Sequence, residues 1–204
     1  MTLSEFDNEI RKDHNVVCGC DEAGRGPLAG DVFAAAVIFD KDTVIEGIND
    51  SKKLTAKKRE ELFDEIMEKA VDFSIQTATV EEIEDINILN AAMLAMKRAV
   101  EDMDTKPDVC LIDGNKTPEG LECPAIAVVK GDAKSQAVAA ASILAKVARD
   151  RYMEQMAELY PEYRFEKHKG YGTKLHYQMI DQYGPCEIHR MSFLKKYYAK
   201  KNGH

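Results

Sequence analysis

The chain lacks any apolar run long enough to cross a membrane, and it lacks the leader of an exported protein. Its longest candidate span, residues 137–148, is rich in Ala and is interrupted by Ser142 and Lys146. A membrane helix needs about 20 consecutive apolar residues. Residues 1–13 are polar and acidic, which excludes a signal peptide. We therefore expect a cytoplasmic protein without a membrane partner.

Cysteine is scarce, and its pattern excludes the usual disulfide and zinc frameworks. The five cysteines are an odd number without C-x-x-C spacing, and Cys18, Cys20 and Cys110 lie in apolar runs. We predict reduced core thiols and no zinc site. The chain also lacks a G-x-S-x-G nucleophile elbow, and residues 24–30 lack the Gly-Lys-Ser/Thr of a nucleotide-binding P-loop. These absences direct attention to the acidic residues.

The composition, with 204 residues of which 45% are hydrophobic and 31% charged, indicates one soluble domain with a sizeable core. The net charge of −8 argues weakly against a nucleic-acid partner, but the average conceals an asymmetry. Residues 1–145 carry 16 Lys and Arg against 29 Asp and Glu, whereas residues 146–204 carry 12 against 7. The basic C-terminal quarter can lie along a phosphate backbone or can be a solvated tail, and charge alone leaves both open.

Hydrophobic periodicity predicts one α/β core with a C-terminal helical extension. The short link Gly30-Asp31 between the first two strands indicates an antiparallel pair. Thr55 and Ser135 are expected to cap helices, and Pro161 is expected to end the second of these. The predicted strands are residues 16–20, 32–39, 73–80, 109–112 and 126–129, and the predicted helices begin at Thr55, at position 88, at Ser135 and at Thr173.

Two adjacent carboxylates, Asp21 and Glu22, close the first apolar run and precede the turn Gly24-Arg25-Gly26. No turn-forming role explains the glutamate, and a divalent metal is the usual compensation for paired charges at such a position. The glycine turn can bring backbone N–H groups and a guanidinium close to an anion. The pattern predicts a metal site beside a phosphate site.

Asp113 and Asp132 follow two further predicted strands, which is where α/β folds place their sites. Taken singly, Asp113 is also explained as a turn former and Asp132 as a residue that complements a helix N-terminus. Taken together, the four carboxylates can surround a pair of hard cations, for which oxygen ligands favour Mg²⁺ or Mn²⁺ over zinc. Such a pair performs in-line phosphoryl displacement, because one cation activates water and the other steadies the leaving oxygen.

Cationic and aromatic residues on two loops are suited to holding a nucleic-acid strand. Lys52 and Lys53 follow Ser51, although a solvated pair also explains them. In the loop at 168–173, Lys169 offers a phosphate contact and Tyr171 offers a face for a sugar or base. A tyrosine packed under the loop is the alternative for Tyr171.

Several segments, in order between Val17 and Phe193, together resemble the bacterial-type ribonuclease HII family. They are DEAGRGPLAG (21–30), NDSKKL (49–54), LIDGN (111–115), KGD (130–132), AAASILAKVARD (139–150), KGYGT (169–173) and HRMSF (189–193). The resemblance implies a ribonuclease H-like fold, a mixed sheet flanked by helices. Residues 1–160 would form the catalytic core and residues 161–204 a substrate-binding loop and helical extension of the same compact unit.

The resemblance also implies an activity and roles for the residues that match. It implies an endonuclease that cuts the RNA strand of RNA–DNA hybrids and nicks duplex DNA 5′ of embedded ribonucleotides, leaving 5′-phosphate and 3′-hydroxyl ends. Asp21, Glu22, Asp113 and Asp132 would bind two divalent cations, Mn²⁺ or Mg²⁺. Gly24, Arg25 and Gly26 would sense the ribose 2′-hydroxyl, Tyr171 would stack on the adjacent sugar, and Lys52, Lys53 and Lys169 would contact phosphates.

We expect a monomer, and the tail at 195–201 contains no sliding-clamp-binding signature of a Gln followed by paired aromatics. Three other functions stay open. A hybrid nuclease without single-ribonucleotide specificity, such as ribonuclease HIII, is disfavoured because little sequence precedes the first strand, where that family carries an extra domain. A non-catalytic hybrid-binding module gains nothing from four anions that face phosphates. A phosphatase acting on small phosphomonoesters is the most distant option.

Overall fold

A computed structural model describes residues 1–48, 51 and 54–202. The strands are β1 (Val17–Ala23), β2 (Val32–Ile38), β3 (Asp72–Ala78), β4 (Val109–Asp113) and β5 (Ala125–Val128). The helices are α1 (Leu3–Ile10), α2 (Ala56–Lys69), α3 (Val80–Glu101), α4 (Gln136–Leu159), α5 (Phe165–His168), α6 (Lys174–Tyr183) and α7 (Met191–Asn202). Short 3₁₀ helices at Gly131–Ala133 and Pro161–Tyr163 follow β5 and α4.

The five strands form one mixed sheet in the order β3-β2-β1-β4-β5. β2 pairs antiparallel with both β1 and β3, whereas β1 and β4 are parallel, as are β4 and β5. The predicted antiparallel pair and the predicted mixed sheet are confirmed. Because β1 and β4 run in the same direction, their carboxyl ends meet at one edge of the sheet.

Helices cover both faces of this sheet, and the alternation of side chains along β2 follows from that. Ala35 and Val37 pack toward α2 and α4, whereas Ala34 and Ala36 pack toward α3. α4 lies directly on β1, since a Cβ added to Gly19 would meet the carbonyl carbon of Ala137 at 2.2 Å. A side chain at this glycine would push α4 off the strand.

The C-terminal segment returns to the segment that follows β1. One cluster joins Ala29 to Met153 of α4 and to Tyr163 and Phe165, and a second joins Leu28 to Ile180 of α6 and Leu194 of α7. Backbone hydrogen bonds reinforce the contact, since the N–H of Leu28 donates to the Gly170 carbonyl at 2.8 Å. The basic tail is therefore part of a helix that packs against the core.

Two element boundaries differ from the predictions, for identifiable reasons. β1 was predicted to end at position 20, but its pairing with β2 continues to Ala23, so Asp21 and Glu22 lie within the strand. α3 begins eight positions before the predicted start at 88, because Thr79 forms a capping box with Glu82. Asn87 then interrupts the helix with a φ of 67°, and its side chain accepts from the N–H groups of residues 89 and 90. The predicted start corresponds to this second cap.

Other predicted features are confirmed. The side chain of Ser135 accepts from the N–H of Val138 at the start of α4, and that of Thr55 accepts from the N–H of Lys58 at the start of α2. All five cysteines are free, and Cys18, Cys20 and Cys110 are buried, as predicted. Burial raises the pKa of the Cys18 and Cys20 thiols, which keeps them protonated. Within the described residues, no helix combines the length and the apolar character that a membrane crossing requires.

Candidate active site

The sheet brings the predicted carboxylates to neighbouring strand ends. The last paired residues of β1 and β4 are Cys20 and Ile112, so Asp21 and Asp113 come next on two adjacent parallel strands. The N–H of Gly131 donates to Asp113 Oδ1 at 2.6 Å, which ties β4 to the 3₁₀ helix that carries the buried Asp132. Strands β1 and β4 and the 3₁₀ helix after β5 thereby supply one acidic edge.

Asp21 is the most enclosed of these groups, with 6% of its surface exposed. Burial raises the pKa of the Asp21 carboxyl well above its usual range, and the negative charges of Glu22 and Asp113 raise it further. Hydrogen bonds from Ser142 and from the backbone N–H of Glu22, at 2.7 Å, act in the opposite direction. The edge concentrates negative charge that its own residues do not neutralise.

The side chains of the acidic edge have the chemistry of a hard-metal site. Among the described residues, no Lys or Arg forms an ion pair with Asp21 or Asp113, and Glu22 contacts Arg25 at 3.1 Å. The described part of the chain gathers no three His, Cys, Asp or Glu side chains into a ready-made metal cluster. The donors are nevertheless all oxygen, and a buried carboxyl among like charges lacks a countercharge. These residues therefore fit a hard divalent cation such as Mg²⁺ or Mn²⁺.

A pair of serines supports Asp21 from α4. Besides its hydrogen bond to Asp21, Ser142 contacts Ser51, with 2.9 Å between the two hydroxyl oxygens. Ser51 belongs to the loop that carries the predicted Lys52 and Lys53, which themselves lie outside the described residues. The serines thus link this loop to the acidic edge. Sequence reasoning missed Ser142, and the available signal was its place as a polar interruption of the Ala-rich stretch at 137–148.

A cleft of about 390 Å³ opens beside the acidic edge. Its lining combines carboxylates, the predicted glycine turn, hydroxyls, a cation and an aromatic ring: Glu22, Ala23, Gly24, Arg25, Gly26, Ser51, Asp113, Ser142, Lys146 and Tyr171. Tyr171 is 43% exposed, which contradicts the alternative of a tyrosine packed under its loop. The ammonium of Lys146 lies 5.9 Å from the centroid of the Tyr171 ring. Lys146 is a second residue that sequence reasoning missed, and it too interrupts the Ala-rich stretch.

A buried arginine of α4 holds the segment that follows β1. The guanidinium of Arg149 donates to the carbonyls of Ala29, Asp31 and Lys169, at 3.1, 3.2 and 3.1 Å. Gly24 must be a glycine here, because its φ is +103° and an added Cβ would lie 2.2 Å from Arg149 Nε. Arg149 therefore joins the glycine turn to the loop of Tyr171.

A second buried arginine, Arg190, orients the peptide groups of the turn. Its guanidinium donates to the carbonyls of Gly30, Arg25 and Pro27, at 2.8, 3.3 and 3.0 Å. Because a trans peptide directs its C=O and N–H to opposite sides, the N–H of Gly26 points away from Arg190. No residue in the described part of the chain accepts a hydrogen bond from that N–H. The turn thus leaves the N–H of Gly26, a residue that lines the cleft, without an acceptor among the described residues.

Comparison with known proteins identifies the family. A family model described as Ribonuclease HII matches residues 18–196. The chain belongs to the ribonuclease HII family. Enzymes of this family are metal-dependent endoribonucleases that cut the RNA strand of RNA–DNA hybrids, so the predictions of an enzyme, of its substrate class and of a divalent metal are confirmed at this level. The alternative of a non-catalytic hybrid-binding module does not agree with this family, whose members are enzymes.

Individual relatives agree with this identification. Ribonuclease HII of Caldicellulosiruptor saccharolyticus is 56% identical over 189 residues, which cover 93% of this chain and 92% of the relative. That of Idiomarina loihiensis is 59% identical over 178 residues, covering 87% and 95%. The crystal structure of ribonuclease H2 from Pyrococcus horikoshii OT3 is similar with a TM-score of 0.72 and 30% identity, covering 87% of this chain and 93% of that one. The predicted ribonuclease H-like fold is confirmed.

The structure places Lys169, the remaining predicted contact of this ribonuclease HII, outside the lining of the cleft. Its ammonium lies 2.7 Å from Glu154, whose side chain is 61% exposed. An ion pair with so exposed a partner contributes little stability, so a phosphate could replace Glu154 at small cost. The phosphate contact of Lys169 stays a prediction.

Beneath Tyr171, the ribonuclease HII chain buries a group of histidines that sequence reasoning left without a role. His168, His176 and His189 are 7%, 0% and 2% exposed, and the ring of Phe165 packs against all three. Burial lowers the pKa of His176 and of His189 to about 4, and it also lowers that of His168. The whole group is neutral at physiological pH.

This burial predicts a loss of stability in mild acid. Between pH 6.5 and 4 the unfolded chain binds protons at His176 and His189 that the folded protein does not, so the free energy of unfolding falls as the pH falls. The expected loss from pH 6.5 to pH 5 is about 2 kcal/mol per histidine. Urea unfolding of the metal-free protein at both pH values measures it.

Two variants separate this effect from that of other titrating groups. His189→Gln should reduce the pH dependence by about half, whereas His14→Asn, outside the cluster, should leave it unchanged. A change in the free energy of unfolding between pH 6.5 and pH 5 that is as large in His189→Gln as in the unsubstituted protein would contradict the assignment of neutral buried imidazoles.

Proposed function

We propose that this ribonuclease HII, besides cutting the RNA strand of hybrids, nicks duplex DNA on the 5′ side of a single embedded ribonucleotide and leaves 5′-phosphate and 3′-hydroxyl ends. The observation that carries the proposal is one cleft in which the acidic edge, the Gly24-Arg25-Gly26 turn and the exposed Tyr171 ring adjoin one another. The phosphate to be cut and the hydroxyl that marks it are neighbours on one nucleotide. An enzyme that selects a single ribonucleotide must therefore recognise both from a single cleft.

In this proposal Asp21, Glu22, Asp113 and Asp132 would hold two divalent cations, Mg²⁺ or Mn²⁺, which would supply activation of water and stabilisation of negative charge on the leaving oxygen. The chain's own contribution is to aim these carboxylates and to offset part of the burial and like-charge repulsion that raise the pKa of Asp21. Ser142 and the Glu22 N–H favour the charged form of Asp21, and the Gly131 N–H fixes the orientation of Asp113.

The Gly24-Arg25-Gly26 turn and the Tyr171 ring would recognise the ribonucleotide. The 2′-hydroxyl is the group that distinguishes a ribonucleotide from its DNA neighbours, and it both donates and accepts hydrogen bonds. The outward N–H of Gly26 suits the accepting oxygen, and the backbone is held in that orientation by Arg190. Tyr171 would stack on the adjacent sugar, and a methyl group on Gly26 would lie 3.7 Å from its ring.

Cations around the cleft would hold the phosphates of the strand. Lys146 lines the cleft. Arg25 is 51% exposed, and it can exchange its ion pair with Glu22 for a phosphate contact once Glu22 binds a cation. Lys52, Lys53 and Lys169 are the further candidates. We propose a monomeric enzyme, because every residue named here belongs to one chain.

The test compares labelled duplexes that differ at one position: all DNA, one ribonucleotide, one 2′-fluoro nucleotide, and a continuous RNA strand. With Mg²⁺ or Mn²⁺, we expect a single nick 5′ of the ribonucleotide, no nick in the all-DNA or 2′-fluoro duplex, and a product that a polymerase extends. Cleavage of continuous RNA without any nick at a single ribonucleotide would favour the ribonuclease HIII-like alternative and would overturn the proposal.

Gly26→Ala provides a matched variant for the same assay. An added Cβ at Gly26 meets no atom closer than 3.7 Å, so the fold should be unaffected, but the methyl group occupies space beside Tyr171. We expect nicking at the single ribonucleotide to fall at least about tenfold, which corresponds to about 1.4 kcal/mol of lost transition-state stabilisation. Unchanged nicking by Gly26→Ala would show that the turn does not contact the sugar.

A further inference from the structure

The loop that carries Tyr171 is held from below by a histidine. The Tyr171 ring is exposed in the cleft, but its backbone carbonyl lies 3.0 Å from Nδ1 of the fully buried His176 and 2.8 Å from the N–H of Thr173. The other ring nitrogen of His176, Nε2, lies 3.1 Å from Nε2 of His189. A continuous path thus runs from the C-terminal segment to the loop of the cleft.

The donor and the acceptor of each hydrogen bond in this path can be assigned by starting from Cys186, at the end of the path farthest from Tyr171. Nδ1 of His189 lies 2.9 Å from the backbone N–H of Cys186 and 3.1 Å from its Sγ, two groups that can donate, and 3.3 Å from the Cys186 carbonyl. The shorter contacts are with the donors, so we assign no proton to that nitrogen. A neutral imidazole has one N–H, so Nε2 of His189 is protonated and donates to Nε2 of His176. His176 must then carry its proton on Nδ1, which donates to the Tyr171 carbonyl. Burial keeps both rings neutral, since it lowers the pKa of each to about 4.

A third histidine holds the preceding residue of the loop. The N–H of Gly170 donates to Nδ1 of His168 at 3.3 Å, and Nε2 of His168 therefore donates to the Tyr163 carbonyl at 2.9 Å. The rings of His168 and His176 stack with centroids 4.3 Å apart. Neutral imidazoles therefore fix the 169–170 peptide, one residue before Tyr171, and the 171–172 peptide directly after it, so the backbone that carries the tyrosine ring is held from both directions.

We propose that His189 and His176 form a one-directional hydrogen-bond chain that positions Tyr171 for its contact with the sugar; this rests on the role of Tyr171 under the proposed function. An apolar side chain would fill the same volume but would donate nothing to the Tyr171 carbonyl. A lysine or arginine would bring a charge that the surrounding Phe165 and Tyr163 rings do not compensate. A neutral imidazole accepts a hydrogen bond at one nitrogen and donates one at the other. It therefore supplies the donor to the Tyr171 carbonyl without bringing a buried charge.

The tautomers can be observed directly in the full-length protein. Long-range ¹H–¹⁵N correlation spectra at pH 7 should show His176 protonated on Nδ1 and His189 protonated on Nε2. His189 protonated on Nδ1, or His176 on Nε2, would overturn the chain. This measurement needs no substitution, so it stands even if a variant fails to fold.

The functional test uses His176→Asn and His176→Leu on the duplex with one ribonucleotide. The Asn side-chain amide places an N–H close to the position of Nδ1, whereas Leu offers no donor. We expect His176→Leu to lower kcat about tenfold with a smaller change in KM, because phosphate contacts dominate binding while the sugar orients the reacting bond. His176→Asn should retain activity within about threefold of the unsubstituted enzyme, since one hydrogen bond is restored.

A double-variant cycle with Tyr171→Ala separates positioning from general damage to the fold. If His176 acts through Tyr171, His176→Leu should cause no further loss in the Tyr171→Ala background. If the double variant loses kcat by the product of the two single losses, or if His176→Leu alone keeps full activity, the proposed hydrogen-bond chain is refuted. Full activity of Tyr171→Ala alone would instead refute the sugar contact on which the proposed function relies, so the two failures are distinguishable.

Discussion

Replacing Asp113 by Asn is expected to abolish cleavage of both the hybrid and the single-ribonucleotide duplex, with a loss of at least about 10³-fold, the scale seen when one group that stabilises transition-state charge is removed. Asp113 closes β4 beside Asp21, and its negative charge is one of two that raise the pKa of the Asp21 carboxyl. The neutral amide keeps the shape but removes the negative charge that a divalent cation requires. Cleavage rates in Mg²⁺ and in Mn²⁺ measure the effect.

The same substitution should leave the metal-free fold intact or slightly more stable. The amide oxygen of the variant can still accept from the Gly131 N–H, and the repulsion that raises the pKa of Asp21 is relieved. Asp104→Asn is the matched control, because Asp104 is exposed and remote from the acidic edge, and it should change neither cleavage nor stability. Undiminished cleavage by Asp113→Asn would refute the assignment of the metal-binding carboxylates.

Replacing Arg190 by Leu is expected to destabilise the fold and to disorder the glycine turn. Two buried carbonyls, those of Gly30 and Pro27, and the part-buried carbonyl of Arg25 would lose a donor, and each loss at a buried carbonyl costs about 1–3 kcal/mol. Part of this is offset, because burying the guanidinium is itself unfavourable: burial lowers the pKa of Arg190 to about 9, and among the described residues Nη2 has no partner. We therefore expect a net loss of about 3 kcal/mol in the free energy of unfolding.

Arg190→Leu should reduce nicking at a single ribonucleotide as well as the free energy of unfolding, since Arg190 orients the peptide between Arg25 and Gly26. The assay is run well below the unfolding midpoint of the variant, so that the folded protein is compared. Arg151→Leu is the control, because Arg151 forms an exposed ion pair with Glu60 that contributes about 1 kcal/mol or less. An Arg190→Leu protein as stable as the Arg151→Leu control would show that the three carbonyls do not depend on the guanidinium.

Local patterns in the sequence were sufficient for most of the secondary structure. The caps at Thr55, Thr173 and Ser135 depend on side chains that bond to backbone groups three positions away, so they can be recognised from neighbouring residues. The end of β1 was predicted too early, because polar residues usually end a strand, whereas here pairing with β2 carries the strand past Asp21 and Glu22. Helix α1 was not predicted, although Thr2 and Glu5 form a local capping box at its start, and the buried Asp7 then fixes it to α4 by accepting from the N–H of Ala137.

The chemistry of the candidate site was visible in the sequence to the extent that it depends on residue type. Carboxylates that follow apolar runs indicate a site for a hard cation. Glycines that flank an arginine indicate a site for an anion. The sequence did not indicate which cations hold the turn. Arg190 reaches the Gly30 carbonyl from a position 160 residues later, and an arginine in an unassigned motif does not reveal its acceptors.

By itself, the sequence determined the acidic residues, the glycine turn, the capping residues and the family, because each of these is a property of residue types in order along the chain. Only the tertiary structure decided how the turn is held and how Tyr171 is supported. Arg149, Arg190, His176 and His189 are buried polar side chains whose partners are backbone groups distant in sequence. Which peptide each one meets depends on how α4, α6 and the C-terminal segment pack around the segment after β1, and no local pattern encodes that packing.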